Sequence, residues 1–177
     1  MATSLYDLSI ATYLQGLAAV AGFLEKGRAY CAEQGSEPDA LVETCLHADM
    51  LPFRFQVVSV RQHSLGAARA IESGEFRPPS AQPLEGGYAG LQALINETRT
   101  EMEAFTADAI DAHAGRLVTF HLGDKQIPFT VENFILSFSL PNFFFHATTA
   151  YDILRQHGAP VGKRDYLGRM RIGAPAA

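Results

Sequence analysis

A chain of 177 residues that is 47% hydrophobic, 19% charged and carries a net charge of −5 is long enough to bury a core without disulfide or metal support. Nine prolines and fifteen glycines without a period exclude collagen-like and low-complexity classes. An isoelectric point near 5.6 argues against a protein that holds nucleic acid through a basic surface.

Residues 8–24 are nearly all apolar or small, yet they read as neither a leader nor a bilayer span. Asp7 precedes them and the first cation is Lys26. Seventeen residues with Gln15 among them also fall short of the ~20 that a span requires. Ile10, Leu14, Leu17, Ala21 and Leu24 alternate steps of four and three, the period of a helix with one buried stripe, ending at Gly35. Ser36 and Pro38 suit the start of a short helical turn. Cys31 and Cys45 form no CxxC pair, the usage of two free thiols in a reducing compartment, so the protein is expected to be soluble and cytoplasmic.

A second helix is expected from about Met50, N-capped by Asp49, with Met50, Phe53, Val57, Val60, Ser64, Ala67 and Ile71 as its stripe and Gly74 as its stop. Pro78, Pro79, Pro83, Gly86 and Gly87 mark residues 74–87 as a loop. A third helix runs roughly over 88–105, on Tyr88, Leu91, Ile95, Thr98, Met102 and Phe105. The period then changes: residues 117–122 and 126–130 flank Gly123-Asp124-Lys125 as a β-hairpin, and Pro128 confines the second strand to an edge. The last helix spans about 130–157, stops at Gly158, and is expected to kink or break at Leu140-Pro141-Asn142. Phe144, Ala147, Tyr151 and Leu154 form one stripe; Phe143, His146, Ala150, Ile153 and His157 form its neighbour. The tail from about residue 159 reads as an irregular basic strap. These elements predict one all-α domain over 1–177, an up-down four-helix bundle with a small β-hairpin between helices 3 and 4.

No GxGxxG follows a strand, and GxxxxGKS/T, GxSxG, HExxH and HxxxH are missing, so nucleotide-dependent and serine-hydrolase chemistry have no support. His146 is the foremost candidate, because Phe143 and Ile153 carry it into the bundle, where an imidazole must find a polar partner. Gln56 lies beside the Phe53–Val57–Val60 stripe and is able to reach inward, although exposure explains it too. Tyr151 falls on the core stripe with a hydroxyl to satisfy. His47, just ahead of the second helix, is the other candidate metal ligand beside His146; a third ligand is unassigned, where a stable site takes three or four. His63 flanks the second helix's core and reads as half-exposed. His113 and His121 read as surface residues, and His157 as a C-terminal cap. Asp152 faces solvent, and Lys163, Arg164, Arg169 and Arg171 read as a solvated terminus. Phe143-Phe144-Phe145 is core, or alternatively a dimer surface.

The run from Leu140-Pro141-Asn142-Phe143-Phe144-Phe145-His146 through Thr149-Ala150-Tyr151-Asp152-Ile153-Leu154-Arg155 to Gly162-Lys163-Arg164-Asp165-Tyr166-Leu167-Gly168 resembles a family of bacterial and fungal proteins catalogued as a domain of unknown function, number nineteen-ninety-three. Leu5-Tyr6-Asp7 and Asp49-Met50-Leu51-Pro52 with Gln56 resemble it too. That family is similar to the DinB/YfiT-like superfamily of four-helix bundles, whose members are often dimers. Many such relatives hold a divalent metal through three histidines, one on the second helix and an HxxxH pair on a later one, and some are thiol S-transferases or hydrolases. Here His146 stands for the first residue of that pair, but the position four later is Ala150, and the second helix offers Gln56, or His47 ahead of it. The resemblance therefore implies the fold more firmly than metal catalysis. The expectation is a homodimer that binds a small-molecule ligand at His146, Tyr151 and Gln56, with no nucleic acid or membrane partner. The alternatives are a thiol S-transferase or hydrolase using Zn, Ni, Fe or Mn, and a non-catalytic interaction protein.

Overall fold

The computed structural model describes residues 3–79 and 85–173. The chain opens with a four-residue helix, α1 (Leu5–Leu8), whose Ser4 side chain accepts the Asp7 N–H at 3.0 Å. Ser9 breaks the run before α2 (Ile10–Glu33), and Gly35 ends it with a positive φ of 66°. Leu17 and Leu24 of the expected stripe are fully buried, but Leu14 and Ala21 are only half-buried. Tyr13, Val20 and Phe23 complete the inner face instead. A helix that packs against several neighbours buries a wider arc than one stripe, and α2 touches α5, α8 and α9 as defined below. By length and composition the helical run Leu5–Glu33 is able to cross a membrane, but here its apolar face is used in the core.

After a 3-10 turn (Pro38–Leu41), α3 (Phe53–Arg61) starts three residues later than Met50. The cause is Pro52, which disfavours helical geometry at Leu51 and takes the N-cap position itself. Asp49 caps nothing and pairs with His47. A π-helical turn (Gln62–Gly66) follows, then α4 (Ala67–Ser73), closed by Gly74 at φ 78°. The predicted stripe is buried from Phe53 to Ile71, and Met50 lies at its edge. Part of the predicted loop, residues 80–84 with Pro83, lies outside the described residues; Glu75–Phe76 forms a strand, β1. Helix α5 (Gly87–Met102) buries Tyr88, Leu91, Ile95, Thr98 and Met102 as expected, and the Asp39 carboxylate accepts the Tyr88 N–H at 2.8 Å. An unexpected short helix, α6 (Ala107–Asp111), is capped by Thr106.

Strands β2 (Leu117–Leu122) and β3 (Lys125–Thr130) form the hairpin, with Leu122 opposite Lys125 and Gly123 supplying the positive φ of its two-residue turn. β1 adds in parallel to β2, so the hairpin is part of a three-stranded sheet, with β3 and its Pro128 at an edge. The final long run is continuous: α7 (Val131–Asn133), a π-helical segment (Phe134–Ser139) and α8 (Leu140–Gln156). Pro141 does not break it. The π segment directly upstream re-aims the carbonyls that the proline ring would strike and leaves without a donor, and so absorbs the insult. The tail is less irregular than predicted. A five-residue helix, α9 (Lys163–Leu167), packs on α2, with Asp165 accepting the Gly162 N–H at 2.9 Å and pairing with Lys26 at 2.7 Å. The result is a mostly helical fold with a small sheet, in which α3 lies along α8 and α2 along α5.

Candidate functional site

The facing surfaces of α3 and α8 carry the polar groups of interest. Gln56, Ser59 and His63 follow one another at steps of three and four on the second helical run, and all three are buried. Phe138, Asn142 and His146 follow at steps of four on the last run. His63 lies inside one π turn and Phe138 inside the other. A π turn leaves a carbonyl without its usual partner; here Ser139 Oγ donates to the His63 carbonyl at 2.8 Å and accepts from the Tyr13 hydroxyl at 2.8 Å. Burial raises the Tyr13 phenol far above its ordinary range, so that donor stays protonated.

Between the two runs lies a cavity of about 210 Å³, whose walls include His63, His146, Asn142, Phe76, Phe120 and Phe138. The sheet closes one side of it: Phe76 comes from β1 and Phe120 from its partner position on β2. The imidazoles of His63 and His146 are near-parallel, 17° apart in plane with centroids at 5.7 Å, and His63 also meets Phe76 at 5.4 Å and Phe138 at 5.5 Å. Burial pushes the His146 pKa down to about 4. Burial, reinforced by the neighbouring His146, pushes His63 down to about 3. Both rings are therefore neutral at physiological pH.

Gln56 decides which nitrogen of His146 carries the proton. Its Nε2 donates to the Leu51 carbonyl at 2.7 Å, which turns Oε1 toward His146 Nδ1 at 2.8 Å. An amide oxygen only accepts, so Nδ1 bears the hydrogen and, in a neutral ring, Nε2 is a bare acceptor. Asn142 is oriented likewise, with Nδ2 donating to the Phe138 carbonyl at 2.7 Å and its oxygen left as the acceptor end. His63 Nδ1 is buried and has no hydrogen-bond partner among the described residues.

His146 and Gln56 are thus brought together; the other two expected residues lie elsewhere. Tyr151 donates to the Val161 carbonyl at 3.2 Å and packs edge-on against Phe23 and Tyr166. His47 is exposed and meets Asp49 at 2.6 Å. His63, expected half-exposed, is 4% exposed, and it is the residue that the sequence reading undervalued. Its signal was the second 3–4 series, Gln56–Ser59–His63, beside the apolar stripe. His121 is not a free surface residue either: it is largely covered and paired with Glu75. His157 Nδ1 donates to the Ile153 carbonyl at 2.9 Å, as a helix-end residue should. Cys31 and Cys45 are free thiols.

A divalent metal, which the fold family implies, is not well served here. His63 and His146 are the cavity's only described His, Cys, Asp or Glu side chains, and no three such residues converge among the described residues. A stable site takes three or four ligands, and the Gln56 oxygen is already engaged by His146.

The sequence profile of the family described as "Domain of unknown function (DUF1993)" matches residues 5–167. A DinB family member protein from Shewanella denitrificans, known from a crystal structure, superposes with a TM-score of 0.79 at 29% identity, covering 97% of this chain and 96% of its own. No curated protein matches the chain.

Proposed function

This chain belongs to the DUF1993 family, with a DinB-like fold, and from that premise we propose that it binds a small molecule in the cavity between His63 and His146. The observation that carries this reading is a cavity of about 210 Å³ walled by aromatic rings and by His146, whose Nδ1 is held by Gln56 so that its other ring nitrogen is left as an acceptor. An aromatic-lined cavity with a few fixed polar groups is the kind of site in which small molecules bind. Acid–base catalysis fits these groups less well. A base with a pKa near 4 is far from the operating pH at which proton transfer is most effective. The donor set does not favour a resident metal.

The test is a fragment screen by ligand-observed NMR on full-length, metal-free protein beside a His146→Ala variant. Binding by the metal-free wild type that weakens in the variant supports the reading. Binding that appears only after stoichiometric uptake of zinc, nickel, iron or manganese replaces it with the metal-dependent alternative. The up-down order of the four long helices and a homodimeric state belong to the same proposal. Phe144 and Phe145, 41% and 56% exposed on α8, are the apolar surface that a second copy would cover. Light scattering in solution tests the dimer.

A further inference from the structure

The chemistry of the cavity wall narrows what it accepts. Resting on the binding reading above, we infer that the occupant is a neutral, flat molecule that donates an O–H or N–H hydrogen bond to His146 Nε2, as a phenol or an N–H heteroaromatic does. Four observations converge on this class. First, the Gln56 amide locks the proton of His146 on Nδ1, so the ring offers the cavity an acceptor. Second, Asn142 is fixed by giving one of its two amide N–H groups to the Phe138 carbonyl, and its side-chain oxygen is left as an acceptor. Third, the cavity has no Lys or Arg among its described lining residues and both imidazoles are neutral, so an anion would be desolvated without a counter-charge. Fourth, Phe55, Phe76, Phe120 and Phe138 provide aromatic faces, which suit a ring better than a flexible chain.

Size agrees. An apolar cavity of about 150 Å³ holds benzene, so about 210 Å³ takes one ring with substituents or two fused rings. Gln56 acts here as a positioning residue: it selects the tautomer of His146 and need not touch the occupant.

The experiment titrates full-length protein with phenol and indole, with their capped analogues anisole and 1-methylindole, and with benzoate. Binding is followed by affinity and by the side-chain nitrogen resonances of His63 and His146. We expect phenol and indole to bind about tenfold more tightly than the capped analogues, the worth of one good hydrogen bond. The perturbation should centre on His146 Nε2, with benzoate the weakest. In Gln56→Leu the donor preference should shrink toward onefold. Equal affinity of donors and capped analogues, or tightest binding by benzoate, overturns the donor class while leaving the binding reading intact. Failure of every probe to move either histidine overturns both. If Gln56→Leu does not fold, the wild type still decides, because a proton found on Nε2 of His146 refutes the inference directly.

Discussion

Replacing His63 with phenylalanine isolates what a buried neutral histidine does to stability as pH falls. In the unfolded chain its imidazole titrates near 6.5, whereas in the folded protein burial and the adjacent His146 hold it at about 3. A histidine whose folded pKa is depressed contributes stability that is present above the unfolded pKa and lost as pH drops below it, because protons then bind the unfolded chain preferentially. At about pH 4.5 the unfolded side chain is almost wholly protonated and the folded one is not, so linkage makes the loss about 2.7 kcal/mol relative to neutral pH. Phenylalanine has nothing to titrate. The His63→Phe variant should therefore lose about 2.7 kcal/mol less than the wild type between about pH 7.5 and about pH 4.5. Packing changes caused by the new ring are the same at both pH values and drop out, as do the carboxylates shared by both proteins. The chain has no tryptophan, so urea unfolding is followed by far-ultraviolet circular dichroism. Parallel stability–pH curves for the two proteins would refute the argument.

Three other perturbations probe the framework that holds the site. Ser139→Ala strands both the Tyr13 hydroxyl and the His63 carbonyl, so calorimetry should show a loss of roughly 2–4 kcal/mol, and a Tyr13→Phe/Ser139→Ala double-mutant cycle should show coupling. Phe138→Ala removes a ring that sits 4.7 Å from Phe120 and should cost roughly 2–4 kcal/mol while enlarging the cavity; a loss well under 1 kcal/mol would mean that the wall is not packed as described. Two glycines of α2 should respond in opposite directions. At Gly22 a Cβ meets nothing within 4 Å, so alanine should stabilise by roughly 0.5–1 kcal/mol through helix propensity. At Gly27 a Cβ would lie 2.6 Å from Tyr88 Oη and 2.9 Å from Leu154 Cδ2, so alanine should destabilise by roughly 1–3 kcal/mol. Thermal melts of the pair check the sign.

What was legible in the sequence followed from period and punctuation. The α5 stripe, the Gly74 and Gly158 stops and the edge position of Pro128 each depend on a few neighbouring residues, and each is found where those residues put it. The pairing of Gln56 with His146 depends on two positions ninety residues apart, which a helical stripe suggests only as two inward-facing side chains. His63 was undervalued because the apolar stripe passes through Val60 and Ser64 and leaves it on the flank, while its own series, Gln56–Ser59–His63, is polar and so does not announce burial. Pro141 suggested a break because its ring opposes helical hydrogen bonding, and the upstream π segment through which the helix continues has no simple composition signal. β1 escaped notice because two residues carry no strand periodicity and exist as a strand only through β2.

That two-residue strand bears on the order in which the molecule assembles. The helices α3 and α4 and the hairpin β2–β3 are built from near neighbours in sequence, whereas Glu75 pairs with Thr119 and Phe76 with Phe120 only after a chain segment of more than forty residues has returned. Contacts that close such long loops bear their entropy cost before they yield any stabilisation, and so tend to form late. By that argument the aromatic wall that Phe76 and Phe120 give the cavity is expected to close after the hairpin and the α3–α4 run that it joins have formed.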